Sequence, residues 1–138
     1  MSMDFIKSMA IAAAGLKAQA GRMRIISENI ANADSTASAP GQDPYRRRVP
    51  TFQSTFDREL DAQVVSLGPV SVDSSEFQSK YQPGHPAADA NGYVKYPNIN
   101  PLIEQSDMIE AQRSYEANVN VIGAARRMVQ RTLDILKA

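Results

Sequence analysis

The chain contains no cysteine, no tryptophan and a single histidine, and its 15 Lys and Arg balance 15 Asp and Glu. Without Cys there can be no disulfide and no thiolate metal site. A Cys-free chain also suits passage through an oxidising compartment without cross-linking. A formal net charge of zero argues against a nucleic-acid binder, which carries a marked basic excess, and against a polybasic membrane anchor. No apolar run approaches the roughly 20 residues needed to span a bilayer. No Gly-rich phosphate loop, paired-carboxylate motif or metal-ligand spacing occurs, so an enzyme reading has no residues to name and no cofactor, metal or small-molecule substrate is expected.

The 138 residues are enough for one ordinary domain. Met9 to Leu16 is Ala-rich, and Ala18-Gln19-Ala20 mimics a signal-peptidase site. However, Asp4 offsets Lys7 and the apolar pattern runs on past that site. The stretch therefore reads as mature helix, and an exported protein would leave without losing its N-terminus.

Three segments follow one another: residues 1–33, 34–100 and 101–138. In the first, Phe5, Met9, Ala12, Leu16, Gln19, Met23, Ile26 and Ile30 recur in alternating steps of four and three, a heptad seam with one polar slot at Gln19. This predicts an uninterrupted helix of roughly 40 Å. Gly15 and Gly21 are either weak points or places of close approach. The middle segment carries Pro40, Pro44, Pro50, Pro69, Pro83, Pro86 and Pro97, with Pro101 at its end. That density mostly excludes helix. Residues 34–44 read as loop. Short β-prone runs at 45–51, 70–72, 76–81 and 92–96 predict a small irregular β-rich insert, while Phe52, Phe56 and Leu60 fit a short helix better. The third segment is again helical, with a seam of Met108, Ala111, Tyr115, Val119, Ile122, Ala125, Val129, Leu133 and Leu136. Two starts compete: Asn100-Pro101, an N-cap with Pro at the first helical position, and Asp107 with Glu110 at capping-box spacing.

The expected fold is mainly α: two long terminal helices pairing, parallel or antiparallel, as a coiled-coil-like unit around the insert. Ile6, Ile11, Ile25, Ile109, Val121, Met128 and Ile135 lie off these seams. Such wide stripes on two helices point to packing against further subunits, unless the insert covers the extra face.

Three motifs carry a family resemblance. Asn29, Ala31, Asn32 and Thr36 resemble the Asn-x-x-Asn-x-x-x-Thr exit of the first helix of flagellar rod and hook axial proteins. Physically, Asn accepts the left-handed turn that ends a helix and bonds its own backbone. The run Met108-Ile109-Glu110-Ala111-Gln112-Arg113-Ser114-Tyr115-Glu116-Ala117-Asn118 is similar to the C-terminal helix of the same proteins. Tyr81-Gln82-Pro83-Gly84-His85-Pro86, then Ala88-Asp89, then Gly92-Tyr93-Val94-Lys95-Tyr96-Pro97-Asn98 resembles the C-type proximal rod proteins, as does Tyr45-Arg46-Arg47-Arg48. Residues 56–80 carry no match. The Ala33-Asp34-Ser35 exit favours proximal rod over hook.

The resemblance implies a structural subunit exported unfolded and uncleaved through the flagellar type III apparatus. It would polymerise into the proximal rod of the basal body, which crosses the periplasm, with its terminal helices lining the inner tube. The implied partners are itself, other proximal rod proteins, the distal rod protein, the ring-to-rod adaptor and the export gate. The alternative is a cytoplasmic coiled-coil adaptor or export chaperone. A third class, a hydrolase centred on His85, has only Asp89 as a partner.

Individual residues carry competing readings. His85, between Gly84 and Pro86, reads as a turn residue making a backbone bond rather than an acid–base group. Arg46, Arg47 and Arg48 read as inter-subunit ion pairs, with Asp57, Glu59 and Asp61 as acidic partners, or as a solvated strand face, ahead of phosphate or lipid headgroup binding. Phe52 and Phe56 resemble an export-gate recognition motif, against simple core burial. Gln19, Asn29, Tyr115 and Asn118 read as register-setting polar residues in apolar seams, or as solvent-facing ones.

Overall fold

A computed structural model describes residues 2–138. Two helices bracket three separate antiparallel strand pairs: α1 (Ser2–Ala31), β1 (Arg48–Val49), β2 (Phe52–Asp57), β3 (Ala62–Leu67), β4 (Ser71–Val72), β5 (Gln78–Tyr81), β6 (Tyr93–Tyr96) and α2 (Pro101–Lys137). The strands pair as β1 with β4, β2 with β3, and β5 with β6. The mainly α architecture expected from the seams is what forms, and the terminal helices pack together antiparallel. The competing start of α2 resolves at Asn100–Pro101: the Asn100 side chain accepts the Leu102 amide at 3.1 Å and its carbonyl accepts the Glu104 amide at 3.1 Å. Among the described residues no helix is long and apolar enough to cross a membrane.

The chain gathers into two compact units, each drawing on both helices. The first contains Met1–Met23, Thr51–Pro69 and Ile109–Ala138. Here Gly15 lets α2 approach so closely that a Cβ would meet the Asn118 amide nitrogen at 2.8 Å, and Gly21 leaves room for Leu67 of β3, 2.9 Å from such a Cβ. Both glycines are thus sites of close approach. Arg22 pairs with Glu110 at 3.3 Å, and Lys7 donates to the Asp61 carbonyl at 2.7 Å. Asp61 sits at the β2–β3 turn with φ 48°, and Asp57 caps that turn by accepting the Glu59 amide at 2.9 Å and the Leu60 amide at 3.2 Å.

The β2–β3 hairpin corrects the sequence reading, which took Phe52, Phe56 and Leu60 for a helix. A spacing of four satisfies both a helical face and a strand face of period two. The two long strands register Phe52 against Leu67 and Phe56 against Gln63, so cross-strand pairing decides what the spacing leaves ambiguous.

The second unit contains Arg24–Pro50 and Val70–Met108. Its core holds Ile25, Ile26, Val94, Ile99 and the polar pair Asn29 and Glu104, all buried. The β1–β4 ladder is two residues long, with Arg48 opposite Val72. β5 and β6 pair Gln78 with Tyr96 and Tyr81 with Tyr93.

Candidate functional site

Asn29, in the last turn of α1, is wholly buried. Its amide nitrogen donates to the Arg48 carbonyl at 2.7 Å and to Glu104 Oε2 at 3.2 Å. Its amide oxygen accepts the Tyr45 hydroxyl at 3.1 Å and the Arg48 amide at 3.0 Å. One side chain therefore fastens three stretches of the second unit: the end of α1, the segment entering β1 and the first turn of α2. A buried amide with both ends satisfied is worth its desolvation, whereas a half-satisfied one is not.

Glu104 is equally buried and bonds Arg47 Nε through Oε1. Arg47 also faces Asp107 at 3.5 Å and Asp73 at 3.7 Å. Burial works against the Arg47 charge, but the Glu104 bond and the Glu104, Asp73 and Asp107 charges outweigh it and hold the guanidinium above its ordinary value. Asp73 is held below its ordinary value, first by the Ser75 backbone amide at 2.8 Å and the Ser75 side chain, and further by Arg47 and Arg46. Burial raises the Tyr45 hydroxyl, keeping it a donor to Asn29. Asn98 closes the ring: its oxygen accepts the Arg47 amide at 2.8 Å, and its nitrogen donates to the Asp73 and Ser75 carbonyls at 3.1 and 3.2 Å.

The remaining motif residues shape turns. Asn32 Nδ2 bonds back to the Glu28 carbonyl at 2.8 Å, and Asn32 Oδ1 accepts the Ser35 hydroxyl at 3.3 Å. Outside glycine, positive φ among the described residues occurs only at Asp61. The Asn exit therefore ends the helix through tight backbone bonds from Asn32 to Asn29 and from Ala33 to Ile30, together with the Asn32 side chain, and not through the expected left-handed turn. Ala31 is exposed at that exit. Thr36 lies 3.5 Å from His85 Nε2, while His85 Nδ1 accepts the Ala87 amide at 3.0 Å. His85 thus makes a backbone bond in the turn following Gly84, beside exposed Pro86. Gly92 takes φ +83°, and a Cβ there would strike Tyr81 and Pro83. Tyr93 meets the Tyr81 ring edge-on at 5.3 Å, and Pro97 is buried.

All three arginines have partners within the chain. Besides Arg47, Arg46 donates to the Asp73 and Ser75 carbonyls at 3.3 and 3.2 Å and lies 4.1 Å over the Phe77 ring. Arg48 pairs with Glu28 at 3.5 Å. Within the chain the carboxylates they meet are Glu28, Asp73, Glu104 and Asp107. Glu104 and Asp73 were missed as site residues; the only sequence signal for Glu104 is its place in the first turn of α2, which the helix dipole also explains.

Along the seams, Ala12, Ile26, Ala111 and Ala125 are buried, and Phe5, Met9, Leu16, Met23, Ile30, Met108, Tyr115, Ile122 and Val129 are half-buried. Val119, Leu133 and Leu136 are exposed. Asn118 packs against Gly15, and Glu116 faces solvent. Of the off-seam residues, Ile25 is buried in the second unit, whereas Ile6, Ile11, Ile109, Val121, Met128 and Ile135 are exposed. Phe52 and Phe56 are also exposed, against the expectation of simple core burial. Among the described residues no group of His, Cys, Asp and Glu could hold a metal ion. The largest fully buried polar groups are committed to one another, so the arrangement fixes helix ends and leaves apolar helix faces open.

The family model for "Flagella basal body rod protein" matches residues 9–38, and that for "Flagellar basal body rod FlgEFG protein C-terminal" matches residues 90–135. The chain is 52% identical over 128 residues to the flagellar basal-body rod protein FlgC of Agrobacterium fabrum, covering 93% of this chain and 92% of that one. It is 35% identical to FlgC of Bacillus subtilis, covering 98% and 100%, and 39% identical to FlgC of Salmonella typhimurium, covering 91% and 92%. With likeness of that extent at both helices and across the junction between them, the chain belongs to the FlgC family of flagellar basal-body rod proteins, structural proteins rather than enzymes.

Proposed function

We propose that the chain is a structural subunit of the proximal flagellar rod in the basal body, polymerising through its terminal helices. The observation that carries this is the set of large apolar side chains left open along both helices: Ile6 at 61% exposure, Ile109 at 52% and Met128 at 51%, among others. A soluble monomer gains nothing from exposing them; burial between subunits at about 25 cal/mol per Å² would drive assembly. The Asn29–Glu104–Arg47 junction supports the same reading, because it fixes the helix ends that such packing requires. Its partners would be further copies, the other proximal rod proteins, the distal rod protein and the ring-to-rod adaptor, with the flagellar type III gate during export. Exposed Phe52 and Phe56 fit a role in export; changing both to Ala should lower the amount secreted, and normal secretion ends that part of the reading.

The test is deletion of the gene followed by electron microscopy of purified basal bodies. Loss of rod and hook with the membrane ring retained, restored by the intact gene, is the expected result. Intact hook–basal bodies would favour a cytoplasmic adaptor instead.

A further inference from the structure

The β5–β6 hairpin of the second unit turns one face outward. Val94 is wholly buried, and side chains alternate across a strand. Tyr93 and Lys95 therefore lie on the opposite face, with Tyr81 across the ladder from Tyr93. Tyr81 is 65% exposed and Tyr93 47%, and their rings meet edge-on at 5.3 Å. Two aromatic rings are thus braced against each other yet left open to solvent.

Tyr93 is also one wall of a cavity of about 210 Å³, shared with Ala37, Gln42, Ala87, Asp89 and Lys95. Its polar groups are held in place with bonding capacity to spare. Asp89 Oδ1 accepts the Asn91 and Tyr93 amides, both at 2.9 Å, and the Asp89 amide bonds the Tyr93 carbonyl at 2.9 Å. These bonds fix the carboxylate and leave Oδ2 with no hydrogen bond to the described residues. Lys95 meets Asp43 at 3.4 Å, which uses one of its three N–H groups. The Gln42 side chain is exposed and makes no bond to the described residues.

Charge selects the class of ligand. One ammonium and one carboxylate line the cavity, so an anion meets Asp89 and a cation meets Lys95. A neutral molecule carrying both donors and acceptors suffers neither penalty. Tyr93 asks it for an apolar face as well, because the electron-rich face of an aromatic ring attracts C–H edges. A pyranose has both features: C–H groups on its faces and hydroxyls around its rim. The volume lies below that of ordinary drug-sized pockets and suits a single ring. Ala37 and Ala87 add a small apolar corner, which hydroxyls leave unused and a methyl group fills.

We propose that this cavity binds one N-acetylated aminosugar residue of a glycan. The sugar ring lies on Tyr93, the acetamido N–H donates to Asp89 Oδ2, and the acetamido carbonyl accepts from Gln42. The methyl group sits against Ala37 and Ala87, and a ring hydroxyl takes a Lys95 N–H. None of the six residues belongs to either terminal helix, so the inference stands apart from the assembly reading.

The test is a titration of the isotope-labelled full chain with diacetylchitobiose, followed through backbone amide shifts. Saturable shifts at Gln42, Ala87, Asp89, Tyr93 and Lys95, with a Kd of about 1 mM, are expected for so small a ligand. Cellobiose has the same linkage without the acetamido groups and should bind at least about fivefold more weakly, the worth of one hydrogen bond. Tyr93→Leu and Asp89→Asn should each weaken diacetylchitobiose by a similar factor, while Tyr93→Phe keeps the ring and stays within about twofold. Asp89→Asn retains the Oδ1 acceptor and removes the one at Oδ2. Gln42→Ala, at an exposed loop position, supplies the same reading should Asp89→Asn disturb the turn, which the amide spectrum of the rest of the chain reports. Absence of shifts, shifts confined to other residues, or equal affinity for cellobiose overturns the proposal. So does choline chloride displacing the sugar, which would mark the rings as a cation site.

Discussion

Asn29 Nδ2 lies 3.2 Å from Glu104 Oε2, both residues at zero exposure and 75 positions apart in the chain. Neither could be buried without the other's region: Glu104 needs donors, and Asn29 needs the Tyr45–Arg48 segment that Arg47 anchors to Glu104. The junction is therefore cooperative, and its parts should not behave additively.

Asn29→Ala removes four hydrogen bonds and takes their partner from the part-buried Arg48 amide and carbonyl. A loss of about 3 kcal/mol is expected in urea denaturation of the full chain. Asn29→Asp, which sets a second carboxylate against Glu104, should be at least as damaging at neutral pH; a loss under 1 kcal/mol, about the net worth of one hydrogen bond, would contradict the junction.

Glu104→Ala leaves Arg47 with only Asp107 and Asp73, at 3.5 and 3.7 Å, and takes an acceptor from buried Asn29; the loss of these buried bonds should cost about 1–3 kcal/mol. Glu104→Leu combined with Arg47→Met removes both charges and should recover most of that loss. A double-mutant cycle in thermal melts measures the coupling, which should exceed the few tenths of a kcal/mol typical of independent sites.

The acid limb of stability follows from Asp73. Its carboxyl is held below the ordinary 3.8 by Ser75, Arg47 and Arg46. A depressed carboxylate contributes stability that is fully present above its unfolded value and is lost as pH falls through the folded value. Stability should therefore drop below about pH 3.8, and Asp73→Asn should flatten that drop. Midpoint denaturant concentration measured across the acid range reads this out.

Gly15→Ala brings a Cβ to 2.8 Å from the Asn118 amide, against a helix-propensity gain of up to about 1 kcal/mol. In the native background the two effects should nearly cancel. With Asn118→Ala the obstruction is gone, so Gly15→Ala should then stabilise by about 1 kcal/mol. Equal effects in both backgrounds, measured by thermal melts, would contradict the close approach.

Ile109→Asp changes an exposed side chain of α2. The monomer's stability should move by no more than about 0.5 kcal/mol, while recovery of the chain in purified basal bodies should collapse. Normal recovery would remove this face from the assembly surface.

Heptad seams and proline density made the mainly α plan legible, because helix periodicity and the exclusion of helix by Pro are local properties. The β-prone runs at 76–81 and 92–96 held for the same reason, the first carrying the aromatic Phe77 and Tyr81 and the second Tyr93, Val94 and Tyr96. The β2–β3 hairpin was not legible, since Phe52 and Phe56 satisfy two periods at once and only Val64, Val65 and Leu67 across the ladder choose between them. Nor was Asn29 legible as a hub. Its motif marked a helix exit, but its four partners come from segments far along the chain.

What the sequence determined by itself is the pair of helices, the loop-rich middle and the family. All of these rest on residue type and short-range spacing. The tertiary structure alone decided the antiparallel pairing, the burial of Glu104 against half-buried Arg47 and the depth of Ile25. Each depends on which distant segment excludes water from that side chain, and burial is a property of the assembled surface that no local pattern encodes.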